Sequence, residues 1–316
     1  MLWMIVILSI LLILILASII ISCAFYHFIL NPKSAKKLNK MDKDKSKEKE
    51  AKKEDVIAFQ QLLQGNAKEI YLEGYKKDKI HAYWLENEEQ KEKGKSDTWI
   101  IAIHGYNNQA TTFGDFAMKF YRQGYSLLVP DLRGCGKNEC SYIGMGWHDR
   151  KDILLWIEEI KKRRPNASII LYGVSMGAAT VMMTSGEEVP VSVKAYITDC
   201  GYTSVWEEFS YKMKSLFHLP PFPFLYLTSA ITKLKDGYSF QEASSLKQLE
   251  KCDRPILLIH GSEDDFVPFI MQEKLYQAVK SEKEKLVIQG AKHAKSHEVE
   301  PERYWGEVFN FIELHK

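Results

Sequence analysis

Gly173-Val174-Ser175-Met176-Gly177 is a G-x-S-x-G pentapeptide between an apolar run, Ser168 to Tyr172, and a stretch of small and apolar residues, Ala178 to Met183. That context predicts a serine on the tight turn from a strand into a helix, with glycines where side chains would strike the neighbouring elements. The N-terminus of the following helix gives a favourable field to negative charge developing on a bound carbonyl. A serine hydroxyl is a poor nucleophile without a base. In this arrangement an acid and a histidine follow the serine in chain order, each in a loop after a late strand. Two such loops are present. Gly261-Ser262-Glu263-Asp264-Asp265-Phe266-Val267-Pro268 follows the run Ile256 to His260, and Gly290-Ala291-Lys292-His293 follows Lys285 to Gln289.

His293 is the expected base, and His297 is its near competitor, read instead as opening the last helical region. Asp264 is the expected acid, which must hold the imidazole's tautomer and stabilise the imidazolium. Glu263, Asp265 and Asp199 are the alternatives. An oxyanion hole needs two backbone N–H groups. Met176, just after the serine, supplies one, and Tyr106, in the loop opened by His104-Gly105, the other. Gly105 lets that backbone come close to a substrate, and His104 is expected to brace the loop.

These loops need a scaffold. Strands are predicted over Glu69–Tyr75, Lys79–Leu85, Thr98–Ile103, Ser126–Val129, Ser168–Tyr172, Lys194–Thr198, Pro255–Ile259 and Lys285–Ile288. Helices are predicted over Val56–Leu63, Thr112–Gln123, Asp149–Lys162, Met176–Thr184, Phe269–Lys280 and Pro301–Leu314. Strand and helix alternate and the later strands are continuously apolar, which means a parallel sheet covered on both faces. From about residue 202 to 250 lies an irregular insert rich in aromatic residues and proline, including Phe209, Tyr211, Phe217, Phe222 and Tyr226. It is read as a cap over the serine. Its apolar side chains either wall an acyl pocket or pack the cap onto the core.

The chain has 316 residues and a formal net charge of +2. There is no basic stripe interleaved with aromatic residues, so nucleic acid is not an expected partner. Cys23, Cys135, Cys140, Cys200 and Cys252 are scattered without a C-x-x-C pair near histidines. Free thiols are expected and a zinc site is not.

Leu2 to Leu30 contains no Asp, Glu, Lys or Arg. About 20 apolar residues cross a hydrocarbon core of about 30 Å, so residues 1–30 are expected to form a single-pass membrane anchor. A cleaved signal peptide would carry a basic n-region and a shorter apolar run. Lys33, Lys36, Lys37 and Lys40 follow the anchor, which by the positive-inside rule orients the following domain to the cytoplasm. Residues 31–55 are rich in Lys, Asp and Glu and read as a solvated tether. The remainder, 56–316, is the expected catalytic domain.

Ile103-His104-Gly105-Tyr106, Asp131-Leu132-Arg133-Gly134-Cys135-Gly136, Gly173 to Gly177, His260-Gly261 through Asp264 to Val267-Pro268, and Ala291-Lys292-His293 occur in that order. Together they resemble the α/β-hydrolase superfamily, and within it a serine-aminopeptidase-like branch of bacterial hydrolases, many with an N-terminal membrane segment. The likeness runs from about Ile70 to the C-terminus. It implies an α/β fold: a mostly parallel central sheet with helices on both faces and a small cap insert, here preceded by one transmembrane helix. It also implies a serine–histidine–acid triad, no metal and no cofactor. Asp265 departs from the pattern by doubling the acidic position, which leaves the acid open between Asp264 and Asp265. The expected activity is hydrolysis of small-molecule or lipid-like carboxylic esters through an acyl-enzyme. Amide or peptide hydrolysis on the same triad is the alternative. A non-catalytic membrane-bound binding protein is the remaining reading, and it has no need of all three residues.

Overall fold

The computed structural model describes residues 2–34, 50–87 and 97–316. At its centre an eight-stranded sheet is formed by β1 (Lys68–Glu73), β2 (Lys79–Leu85), β3 (Thr98–Ile103), β4 (Ser126–Pro130), β5 (Ser168–Val174), β6 (Val193–Asp199), β7 (Ile256–Gly261) and β8 (Lys283–Ile288). The spatial order is β1-β2-β4-β3-β5-β6-β7-β8. β2 runs antiparallel to both of its neighbours, and β4, β3, β5, β6, β7 and β8 run parallel.

Why these segments are strands is visible in β3. Every residue of Thr98–Ile103 is buried, and successive side chains point to opposite faces. Trp99, Ile101 and Ile103 enter one core with Ile153 and Trp156 of α4 (Asp149–Arg163) and Met182 of α5 (Met176–Ser185). Ile100 and Ala102 enter the other with Phe116 and Phe120 of α3 (Gly114–Arg122) and Tyr304 and Phe311 of α11 (Pro301–His315). Two apolar faces on one strand demand a helical layer on each side, as the continuous apolar runs implied.

From β3 the chain moves outward to β4 and then returns to the opposite side as β5. The loops leaving β3 and β5 therefore diverge at the carboxyl ends of the strands, the edge at which ligands bind in open α/β sheets.

Two segments differ from the sequence expectation. The helix expected over Val56–Leu63 is α2, Glu50–Asn66, so its first turns take up the end of the expected tether. The rest of that tether, 35–49, lies outside the described residues. The insert expected to be irregular is a helical hairpin, α6 (Val205–Phe217) and α7 (Phe224–Lys235), followed by a short α8 (Ser245–Leu249). Ser204 caps α6 by accepting from the Glu207 N–H, and His218 ends it in the left-handed region. Prolines 220, 221 and 223 then separate the helices, and they break the periodicity by which each would have been recognised. The chain closes the sheet through α9 (Ile270–Ala278) and a short α10 (Ser296–Val299).

The N-terminal segment is one helix, α1 (Leu2–Leu30), long and apolar enough to cross a membrane. Its large apolar side chains are exposed from Leu2 to Ile21. Beyond that point the pattern changes: Ser22, Tyr26 and Leu30, one helical turn apart, are buried.

Candidate active site

Register sets the carboxyl ends side by side: Ile103 of β3 pairs with Gly173 of β5, Val174 with Asp199 of β6, and Asp199 with Ile259 of β7. Ser175 follows β5 directly and precedes the first residue of α5. Its backbone lies at φ 57° and ψ −116°, a conformation that costs a non-glycine residue energy and that marks a sharp strand-to-helix turn. The turn is held by the Ser175 N–H, which donates to the Asp199 carbonyl at 2.8 Å. Gly177 is obligatory there, because a Cβ on it would run into the Ile103 carbonyl.

The sequence brings Ser175, His293 and Asp264 from three loops, and the structure joins them. His293 Nε2 lies 2.9 Å from Ser175 Oγ, and His293 Nδ1 lies 2.8 Å from Asp264 Oδ2. Asp264 Oδ1 accepts the backbone N–H groups of Phe266 at 2.9 Å and Val267 at 2.8 Å. Burial by itself would raise the Asp264 pKa. The hydrogen bonds from His260 and His293 outweigh burial and hold it at about 2. Asp265 and Glu263 are exposed, and Asp265 meets the cap through its carbonyl, which accepts from Tyr211 at 3.1 Å. Asp199 is buried and accepts from Tyr304 at 2.9 Å. His297 packs at a tilt against Phe116 with ring centroids 4.3 Å apart, on the face of the sheet away from α5. Cys200, Asp264 and His293 bring possible metal-ligand atoms within 4.8 Å of one another, but both ring nitrogens of His293 are already engaged by Ser175 and Asp264.

Asp199 carries a pH signature of its own. Burial raises its pKa from 3.8 to about 6, with the Tyr304 hydrogen bond opposing. An acid raised in the folded state leaves stability intact below its unfolded pKa and removes it as pH rises through the folded value. Between pH 4 and 6.5 Asp199 is expected to lower stability by about 3 kcal/mol. Denaturant melts of Asp199→Asn are expected to lose that part of the slope and to exceed the parent's stability at pH 8. A slope equal to the parent's would mean that Asp199 stays ionised at no cost.

On the opposite side of Ser175 stands the loop after β3. A Cβ built on Gly105 would lie 3.3 Å from the Val174 carbonyl and 3.4 Å from Ser175 Cβ, so this backbone lies against the turn that carries the serine. His104 is fully buried and neutral, since burial lowers its pKa. Its Nδ1 bonds the Gly105 carbonyl at 2.8 Å and its Nε2 accepts from the Leu132 N–H at 3.0 Å. Both nitrogens are thus spent on bracing loops. Met176 opens α5, and the first N–H groups of a helix have no intrahelical acceptor.

Three features of the site were not legible as roles in the sequence. His260 ends the apolar β7, and its Nε2 donates to the Val267 carbonyl at 2.9 Å while standing 3.3 Å from Asp264 Oδ2. A histidine closing an otherwise apolar strand is the signal that could have found it. The Phe266 ring lies 4.7 Å from the His293 ring, and Lys212 of α6 sits 3.3 Å over the Phe266 ring centroid. The Tyr106 hydroxyl donates to the Ile29 carbonyl of α1 at 2.6 Å.

Comparison with known proteins agrees with the fold. A family described as "Serine aminopeptidase, S33" matches residues 94–235. The uncharacterized protein YqkD of Bacillus subtilis is 26% identical over 215 residues, covering 68% of this chain and 70% of its own. The lysophosphatidylserine lipase ABHD12 of Gallus gallus is 27% identical over 192 residues, covering 58% of this chain and 48% of the lipase, so the chain spans about half the length of that relative. Among solved structures, the Pyrococcus furiosus esterase Pf2001 superposes with a TM-score of 0.64 at 22% identity, over 80% of this chain and 94% of the esterase. The acylaminoacyl peptidase of Pyrococcus horikoshii gives 0.55 at 19% identity, over 77% of this chain and 41% of the peptidase. With this strand order, a serine on the turn after β5 and relatives of these kinds, the chain has the α/β-hydrolase fold and is similar to hydrolases of the esterase, lipase and peptidase kind.

Proposed function

We propose that this protein is a membrane-anchored serine hydrolase that cleaves carboxylic esters, lipid-derived ones among them, through an acyl-enzyme. The observation that carries the reading is the unbroken line of hydrogen bonds from Ser175 Oγ through His293 to Asp264. Ser175 Oγ attacks the ester carbonyl carbon while His293 Nε2 takes its proton. Asp264 holds the Nδ1–H tautomer and stabilises the imidazolium. The N–H groups of Met176 and Tyr106 receive the oxyanion, a contribution of about 10²- to 10³-fold for each donor. Collapse of the tetrahedral species expels the alcohol, which takes the proton from His293. Water, deprotonated by His293, then attacks the acyl-serine, and His293 returns that proton to Ser175 Oγ as the acid leaves.

Residues 1–30 serve as the anchor and 56–316 as the hydrolase. The lysines that follow α1 orient the hydrolase to the cytoplasmic side. An amide substrate is the second reading, favoured by the serine aminopeptidase description of the matching family. Full-length protein in mixed micelles, offered p-nitrophenyl esters and the matching p-nitroanilides, separates the two. Ester turnover with a fluorophosphonate adduct on Ser175 is the expected result. Faster cleavage of the anilides would move the protein to the amide reading, and an adduct on another serine would overturn the assignment of the nucleophile.

A further inference from the structure

α7 buries one face in the hydrolase and leaves the opposite face apolar. Its buried residues are Leu225, Thr228, Ser229 and Thr232. Phe222, just before the helix, and then Tyr226, Ala230 and Leu234 recur every fourth residue, and all four are exposed. Leu234 is 86% exposed, Phe222 72% and Tyr226 52%. Residues four apart are neighbours on a helix surface, and the Phe222 and Tyr226 rings meet edge-on at 5.9 Å. At the end of α6, Leu216 is exposed as well. A cap facing only water would carry polar residues on that side. A continuous exposed apolar stripe marks a contact surface.

What covers the stripe follows from where α1 meets it. The exposed apolar stretch of α1, Leu2 to Ile21, is about 30 Å long at 1.5 Å per residue, the thickness of a hydrocarbon core. The next residue, Ser22, is the one that joins the first turn of α7. Its Oγ donates to the Phe224 carbonyl at 3.1 Å, and Thr228 Oγ1 donates to the Ser22 carbonyl at 3.3 Å. Later residues of α1 are held by the hydrolase: the Tyr26 hydroxyl donates to Asp236 at 3.0 Å, and the Leu30 carbonyl accepts from the Ile143 N–H at 2.9 Å. Phe222 and Tyr226, two residues either side of Phe224, therefore stand at the level where α1 leaves its bilayer-length stretch.

We infer that the outer face of α7, with Phe222 and Leu216, rests in the headgroup–acyl boundary of the leaflet from which α1 emerges. This contact presupposes the membrane-anchored reading of α1 and adds the surface by which the hydrolase lies on the bilayer. Interfacial helices present aromatic and leucine side chains to that boundary in the same way. One tether leaves a domain free to swing, whereas a second contact fixes its orientation. The orientation bears on the reaction. Lys212, one turn before Leu216 on α6, covers the Phe266 ring beside His293, so the hairpin that touches the leaflet also adjoins the proposed reaction centre.

The test uses full-length protein in phosphatidylcholine vesicles, with the photoreactive residue p-benzoylphenylalanine (Bpa) placed singly as Ile13→Bpa, Phe222→Bpa, Leu234→Bpa or Leu314→Bpa. Intact mass after irradiation reads the share of protein that carries a lipid adduct. Leu314 is 65% exposed, against 63% for Leu216, but ends α11 in the layer on the other face of the sheet. Burying an aromatic side chain favours the apolar phase by about 10-fold or more, so the adduct yield at Phe222 is expected to exceed that at Leu314 by at least that factor. Lipid adducts at Ile13 with Phe222 no higher than Leu314 would overturn the contact and leave the anchor in place. Cross-linked pairs of chains at Phe222, in place of lipid, would overturn it too and make the stripe an interface between copies. If Phe222→Bpa does not fold, Leu234→Bpa decides by the same comparison. Failure of the anchor reading looks different: Ile13 would then carry no lipid.

Discussion

Replacing Ser175 by alanine is expected to lower kcat on a short-chain ester by about 10⁴- to 10⁶-fold, with fluorophosphonate labelling abolished. The size follows from the geometry. Ser175 Oγ is the atom 2.9 Å from His293 Nε2, and it sits on a backbone turn that a Cβ is allowed to occupy but that few residues adopt. Alanine keeps the turn and removes only the hydroxyl, so the thermal midpoint should hold while turnover falls. What remains should come from the proposed oxyanion hole, the N–H groups of Met176 and Tyr106, which the substitution leaves in place. His293→Ala is expected to fall nearly as far, and the double variant no further than either single one, because the three residues act as one unit. Multiplying losses in the double variant would mean that Ser175 and His293 serve different steps. A loss of tenfold or less in Ser175→Ala would place the nucleophile elsewhere.

Ser175, His293 and Asp264 could be read from the sequence because each lies within a few residues of an apolar run that can only be a buried strand. Short loops after parallel strands all open on the same edge, so chain order translated directly into proximity. The cap was less legible: Pro220, Pro221 and Pro223 interrupt it, and helices as short as α6 and α7 draw most of their stability from packing rather than from local preference. The docking of α1 left no local trace. Leu2 to Leu30 carries no Asp, Glu, Lys or Arg, and the contacts that end its exposed part join residues some two hundred positions apart, as Ser22 with Phe224 and Tyr26 with Asp236. Hydropathy reports the solvent a segment prefers and not which partner it meets. Asp131-Leu132-Arg133-Gly134 served in the sequence as a mark of likeness. In the structure its role is scaffolding: Asp131 gathers the N–H groups of Ala110 and Lys137 at 2.8 and 2.9 Å, and Arg133 is clamped between Asp78 and Asp152.

The doubled acid, Asp264-Asp265, gives the second large effect. Asp264→Asn is expected to cost about 10⁴-fold in kcat, while Asp265→Asn stays within a few-fold of the parent. Asp264 already accepts two backbone N–H groups on Oδ1, from Phe266 and Val267. An asparagine in its place keeps its carbonyl on those donors and turns its NH₂ towards His293 Nδ1. The imidazole must then accept at Nδ1 and carry its proton at Nε2, where it cannot take one from Ser175. Asp265, exposed and hydrogen-bonded to the cap through its backbone carbonyl, has no such hold on His293. Stability separates the two positions as well. Asp264 is held at about 2, below the ordinary 3.8. A depressed carboxyl contributes stability above its unfolded pKa and loses it as pH falls through the folded value. The contribution is about 2 kcal/mol at neutral pH, fading between pH 4 and pH 2. Asp264→Asn should therefore flatten the acid limb of the unfolding curve and Asp265→Asn should leave it in place. If instead Asp265→Asn abolished turnover and flattened that limb while Asp264→Asn did neither, the two carboxylates would exchange roles, and the hydrogen bond between His293 and Asp264 would belong to a resting arrangement outside the reaction.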